Sequence, residues 1–278
     1  MFVCVTVLVG FAGTLTASSA WARSVNVNAV AHVAYVGRTG SGFQWAGTVM
    51  DAGLGNGALQ ANLRLVPGGY VGGATIVNPS GSLTGAVRAT LRLEGHLVHF
   101  GLTATITAAT GRFAGARGTL TGSALVTATL ADGSLRLHGT LHGASGRAPV
   151  PLGAGVRHVV GRLRGAELSL TREGVLTVVG SITGLVPGPA VLVARGRTTT
   201  AGTRGTITVF AAGGTLSGVY DVRFPGSGPV RSETGTWNLT RGSGDLTGGH
   251  SAGAIALRGT RNLVLELIAL RIQGALIL

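Results

Sequence analysis

The chain has 278 residues and a formal net charge of +13, set by 22 basic residues, all of them arginine, against 9 acidic ones. The arginines are scattered with no long run, which excludes the clustered footprint of a specific nucleic-acid interface. They leave room for weak, salt-sensitive contact with anionic polymers or a cell envelope. Hydrophobic residues make up 45% of the chain, aromatics only 5%, and the single cysteine is Cys4, so a core is affordable but a disulfide framework is excluded.

The first element is an export signal. Residues 2–16 are uncharged and mostly apolar, and Ser18-Ser19-Ala20-Trp21-Ala22 supplies an Ala-x-Ala cleavage site. Nothing basic precedes the apolar run except the terminal amine. Residues 1–22 are therefore read as a signal peptide. The mature protein is expected outside the cell or on its surface, without cysteine.

From residue 23 the chain contains itself twice. Displaced by 133 positions, residues 43–118 fall on 176–251 without a gap; 16 of the 76 pairs are identical and nine of those are Gly on Gly. Chance placement of 49 glycines would give about two such pairs. The shared signal is thus glycine position, which marks backbone demands rather than chemistry.

Copy one, 23–145, divides at turn signals: Gly37–Gly42, Gly53–Gly57 with Asn56-Gly57, Pro67-Gly68-Gly69, Asn78–Gly81, Glu94-Gly95, Thr110–Gly115 and Asp132-Gly133. Asn-Gly and Asp-Gly are the strongest short hairpin signals. Between the turns, Leu59, Ala61, Leu63 and Leu65 alternate with polar residues, as do Ala89, Leu91 and Leu93. Period-two alternation is a strand half-buried in a sheet. Residues 146–155 are rich in Gly, Ala and Pro and read as the linker. Copy two, 156–278, repeats the plan, and Leu263–Leu278 is read as its closing strand or two, with a small amphipathic anchor as the alternative. Eight antiparallel runs per copy can close into a small barrel, which removes sheet edges. The expected fold is all-β: two tandem antiparallel eight-stranded β-barrels.

One segment carries a family likeness. Thr107-Ala108-Ala109-Thr110-Gly111-Arg112-Phe113-Ala114-Gly115-Ala116-Arg117-Gly118 resembles the Gly-x-Gly-x-Phe-x-Gly-Ala-x-Gly signature of the allene oxide cyclase and dirigent-type β-barrels and their bacterial relatives. Ala109 departs from the first glycine of that pattern. Copy two keeps a weaker version in Gly244, Leu246 and Gly248. Gly111, Phe113, Gly115 and Gly118, with these three, are read as a structural turn whose Phe or Leu plugs the core. The resemblance implies barrels and a small apolar substrate or ligand. It supplies no catalytic residue, because no polar pocket residue of the family enzymes has a match here.

Other constellations carry little chemistry. Gly249-His250-Ser251-Ala252-Gly253 has the letters of a nucleophile elbow but no strand–turn–helix context and no later histidine. His138 and His142 share a strand face about 13 Å apart at ~3.3 Å per residue, too far to chelate one ion. No catalytic residue, metal site or cofactor is assigned. Phe43 and Trp45 share one face near a strand start. They are either a core plug or the lining of a site for a small apolar ligand.

Two functions follow. The first is an exported, non-catalytic binding or structural protein. The alternative is a barrel enzyme or carrier acting on a small apolar molecule, as the resemblance allows. A cavity near Phe43 and Trp45 favours the enzyme or carrier; solid barrel interiors favour the binding or structural protein.

Overall fold

The computed structural model describes residues 23–94, 97–127, 132–146, 155–223, 230–261 and 266–277. The signal-peptide segment and most of the linker lie outside these residues. All regular structure in them is β, as two closed antiparallel eight-stranded barrels. The first is built from β1 (Arg23–Thr39), β2 (Gly42–Met50), β3 (Gly57–Val66), β4 (Gly69–Asn78), β5 (Gly81–Glu94), β6 (Leu97–Gly111), β7 (Thr119–Thr127) and β8 (Asp132–Ala144). The second is built from β9 (Val156–Leu170), β10 (Val175–Thr183), β11 (Ala190–Thr198), β12 (Gly202–Ala211), β13 (Gly214–Arg223), β14 (Val230–Gly244), β15 (His250–Arg261) and β16 (Glu266–Ile277). Each is an up-and-down meander: β1 closes on β8, and β9 closes on both β10 and β16.

The displacement that aligns the sequence also aligns the strands. Adding 133 to the bounds of β2, β4 and β6 gives those of β10, β12 and β14. The shared glycines now have a physical cause. A β-bulge falls between Thr84 and Gly85 in the first barrel and between Ser217 and Gly218, at the same repeat positions, in the second. A Cβ on Gly85 would stand 2.9 Å from the Thr105 carbonyl oxygen, and one on Gly218 1.9 Å from that of Asn238. The bulge presses one strand onto the next, and only glycine leaves the space.

The alternation read from sequence becomes an inside and an outside. Val25, Val27, Ala29, Ala31 and Val33 of β1 face the first barrel's interior with Leu59, Ala61, Ile76 and Leu83. One expected hairpin is different. Asn56-Gly57 does not form a two-residue turn, because Gly57 already begins β3. The connection is a longer loop organised by buried Asp51. Its carboxylate accepts from the backbone N–H groups of Gly53 (2.7 Å), Leu54 (2.6 Å) and Asn28 on β1 (2.5 Å). A carboxylate that collects three backbone donors outweighs the local preference of an Asn-Gly pair. Asp132 likewise opens β8 instead of forming a turn with Gly133.

The barrels pack side by side through equivalent strands. Ala34, Val36, Ala46, Ala58 and Val77 of the first form one buried cluster with Ala166, Val179 and Val191 of the second. Ala46 and Val179, and Ala58 and Val191, are the same repeat positions. The contact is therefore a pseudo-two-fold, self-complementary one inside a single chain. The Ser181 hydroxyl donates to Gln60 Oε1 at 3.0 Å, and Arg164 donates to the Arg38 carbonyl at 2.7 Å across it.

Candidate functional site

The interior of the first barrel is not filled. A cavity of about 110 Å³ lies among Leu59, Ala61, Ile76, Val87, Ala104 and Ile106, and continues to Trp45, Tyr70 and Phe100. Trp45 Nε1 and the Tyr70 hydroxyl are the only side-chain polar atoms of its lining residues. Small side chains create the space. Val87 and Ala104 face the lumen where longer residues would close it.

The second barrel makes the opposite choice at the same positions. Tyr220 stands where the first barrel has Val87, and Trp237 stands where it has Ala104. Both are buried in the second core. Glycines receive them. The place of a Cβ on Gly196 lies 2.4 Å from the Tyr220 hydroxyl, and those on Gly253 and Gly274 lie 2.8 and 3.1 Å from the Trp237 indole. The first barrel carries Leu63, Leu120 and Leu141 there. Large and small residues have thus exchanged sides between the copies, as packing at interior density requires. Burial pushes the Tyr220 hydroxyl up to about 12. Trp237 Nε1 is buried without a hydrogen-bond partner, so this indole serves by volume.

The first barrel has one plugged end and one aromatic end. The plugged end is the β6–β7 loop, the segment whose sequence resembles the cyclase and dirigent-type pattern. Gly111 and Gly115 adopt φ of 57° and 85°, and Phe113 is completely buried. Hydrogen bonds from Phe113 N to Thr110 O (3.1 Å), Ala114 N to Gly111 O (3.0 Å) and Ala116 N to Phe113 O (2.8 Å) set the turn. Gly118 ends the loop, whose neighbour Ala116 is also buried. The second barrel repeats the plug. Gly244 and Gly248 take φ of 61° and 80°, Leu246 is buried, and the same three hydrogen bonds recur from Leu246, Thr247 and Gly249.

At the other end Phe43 and Trp45 face inward within a chain of rings. Centroids are 6.2 Å apart for Tyr35–Phe43, 5.9 Å for Tyr35–Trp45, 5.8 Å for Phe43–Tyr70 and 5.7 Å for Tyr70–Phe100. Edge and tilted contacts of this kind add roughly 0.5–1.5 kcal/mol each beyond area burial. The Arg38 guanidinium lies 5.0 Å from the Phe43 centroid. Burial raises the Tyr70 hydroxyl above the usual tyrosine range. The structure therefore separates the two candidates. Trp45 lines the cavity, while Phe43 belongs to the ring cluster at its mouth. Tyr35, Tyr70 and Phe100 escape a reading of the sequence because they come from three strands that meet only on barrel closure. The second copy has Leu168, Leu176, Val178, Thr203 and buried Glu233 at the five aromatic positions.

The remaining motifs resolve as structure. Ser251 lies in β15, buried, and its hydroxyl donates to the Ala275 carbonyl at 2.5 Å. A serine committed to a neighbouring strand is no nucleophile elbow. His138 and His142 sit on the outer face of β8 against the Thr121 and Ser24 hydroxyls, at 3.1 and 3.0 Å. Among the described residues no three His, Cys, Asp or Glu side chains come together.

Comparison of the chain with family models, with curated proteins and with solved structures gives no match.

Proposed function

We propose that the first barrel holds a small apolar molecule without transforming it, and that the second barrel is its filled structural partner. The observation that carries this reading is the asymmetry between the copies. In the first copy the shared interior positions leave a cavity of about 110 Å³ next to an aromatic cluster. In the other, Trp237 and Tyr220 occupy the corresponding space. Small-ligand sites are concave, mostly apolar and few per protein. An engineered apolar cavity of about 150 Å³ binds benzene, so a hydrocarbon of about six or seven carbons is the upper size for the present one.

The lining contains no carboxylate, imidazole or amine to move a proton. Its only hydroxyl, Tyr70, is made a weaker acid by burial. This favours retention over reaction. The likeness to allene oxide cyclase and dirigent-type barrels agrees with an apolar ligand. The uncharged apolar run at residues 2–16, read as an export signal, supports binding outside the cell or on its surface.

Calorimetric titration of the chain with toluene tests this. Binding with Kd of order 0.1–1 mM is expected for a ligand of this size. Trp45→Ala should weaken binding by more than it lowers the urea midpoint. Loss of stability with unchanged toluene affinity would make Trp45 a core plug and overturn the reading.

A further inference from the structure

The mouth of the first barrel carries an apolar rim that the cavity does not use. Leu65 ends the inward-facing row of β3 after Ala61 and Leu63, and it is 59% exposed. Leu91 and Leu93 extend the inward row of β5 after Val87 and Ala89, at 36% and 72% exposure. The register Leu65↔Tyr70 and Leu91↔Phe100 places both beside the ring cluster. These leucines stand at the barrel end and together leave an apolar rim open to solvent, Leu93 most of all.

Arginines surround them. Arg64, Arg88 and Arg92 are exposed on the outer faces of β3 and β5. Arg64 and Arg88 flank Val71 in one row across the sheet, and Arg38 caps Phe43. The acids at this end are Glu94, which contacts His99 at 3.4 Å, and Asp132, which accepts from the Thr127 hydroxyl at 3.2 Å. Neither is paired with any of these four arginines. The second barrel presents the same end to the same side. The groove between the barrels is lined there by Leu97 and Asp132 of one and by Leu168, Ser169 and Thr177 of the other. Arg172, Arg197 and Arg223 are exposed at that end of the second barrel, against exposed Glu173.

Leucines at the tip with arginines one step behind match the depth profile of a bilayer surface. Apolar side chains reach the acyl boundary while guanidinium groups meet headgroup phosphates. We propose that the mouth end of the first barrel docks on an anionic lipid bilayer, so that the cavity opens toward the membrane and exchanges its ligand with it. The exchange rests on the apolar site proposed above; the docking does not.

Flotation of the full chain with vesicles tests the docking. Vesicles of phosphatidylcholine with roughly three parts in ten phosphatidylglycerol should carry the protein, and pure phosphatidylcholine should carry far less. The triple variant Arg64→Gln, Arg88→Gln, Arg92→Gln should lose about a hundredfold in partitioning. The pair Leu65→Ser, Leu93→Ser should lose about tenfold at unchanged charge. All five positions are exposed, and a wild-type urea midpoint for each variant confirms the fold. Equal flotation of the leucine pair would reduce the effect to the attraction of any polyanion for a basic protein and overturn the proposal. So would wild-type flotation of the arginine triple, or retention on soluble heparin without vesicle binding. Toluene titration without vesicles keeps the two readings apart. The leucine pair should bind toluene as the parent does, and a parent that floats but binds no toluene would remove the cavity function while leaving the docking intact.

Discussion

Ala104 and Trp237 occupy the same position of the repeat, one facing a cavity and the other filling the second barrel's core. A methyl group and an indole at one structural site summarise how the copies have diverged. The first barrel keeps leucines at positions 63, 120 and 141 and leaves its centre empty. The second places glycines at 196, 253 and 274 and inserts two large rings.

The cavity can therefore be closed by one residue. Ala104→Leu should fill most of the space without reaching Leu120 or Leu141 as a tryptophan would. Toluene affinity should fall at least tenfold, while the urea midpoint stays level or rises by the equivalent of ~1 kcal/mol or less. Calorimetry and urea unfolding on the same preparation check both halves.

The reciprocal change tests the filled barrel. Trp237→Ala removes a buried indole held over Gly253 and Gly274, and should cost about 3–5 kcal/mol in urea unfolding. Because Nε1 has no partner, Trp237→Phe should cost only the lost volume and remain well below that. A similar loss for Phe and Ala would mean that the indole N–H contributes more than its surroundings indicate.

Alkaline stability should follow Tyr220. Its folded-state value is raised from 10.0 to about 12 by burial. The unfolded chain thus gives up this proton first as pH rises. The stabilisation is fully present below pH 10 and is lost between pH 10 and about 12. Tyr70 is shifted in the same direction. The urea midpoint should fall across this window, and Tyr220→Phe should flatten the fall.

The contact between the barrels gives a fourth expectation. Ala46 and Val179 are both fully buried there. Ala46→Glu would place a charge in an apolar seam with no partner, at a cost of several kcal/mol. Thermal unfolding should split into two transitions, and the radius of gyration from solution scattering should increase. A single unshifted transition would show that the seam does not couple the barrels.

Much of this architecture is legible in the sequence, because two signals reinforce each other. Alternation in Leu59–Leu65 fixes the inward face, and duplicated glycines such as Gly85 and Gly218 fix where the sheet must kink. The plug loop was legible through Gly111, Phe113 and Gly115, which recur as Gly244, Leu246 and Gly248. What escaped depends on long-range closure. Asn56-Gly57 looks like a hairpin until Asp51 folds back on it. Ala34, Ala46 and Ala58 look like small residues on a solvent face and instead form the seam between barrels. Trp45 could be singled out as an aromatic on a strand. Whether it bordered a core or a cavity depended on Ala104 and Val87, which lie on other strands. The comparison of Ala104 with Trp237 was available in the displaced sequence, but its meaning requires knowing that both point inward.

The most direct test of the central claim is a nuclear Overhauser experiment between toluene and methyl-labelled protein. Cross-peaks from toluene to the methyl groups of Leu59, Ala104 and Ile106, absent in Ala104→Leu, would place the ligand inside the first barrel as predicted. Cross-peaks confined to the exposed Leu65 and Leu93, or none at all, would contradict the account and leave both barrels as structural elements.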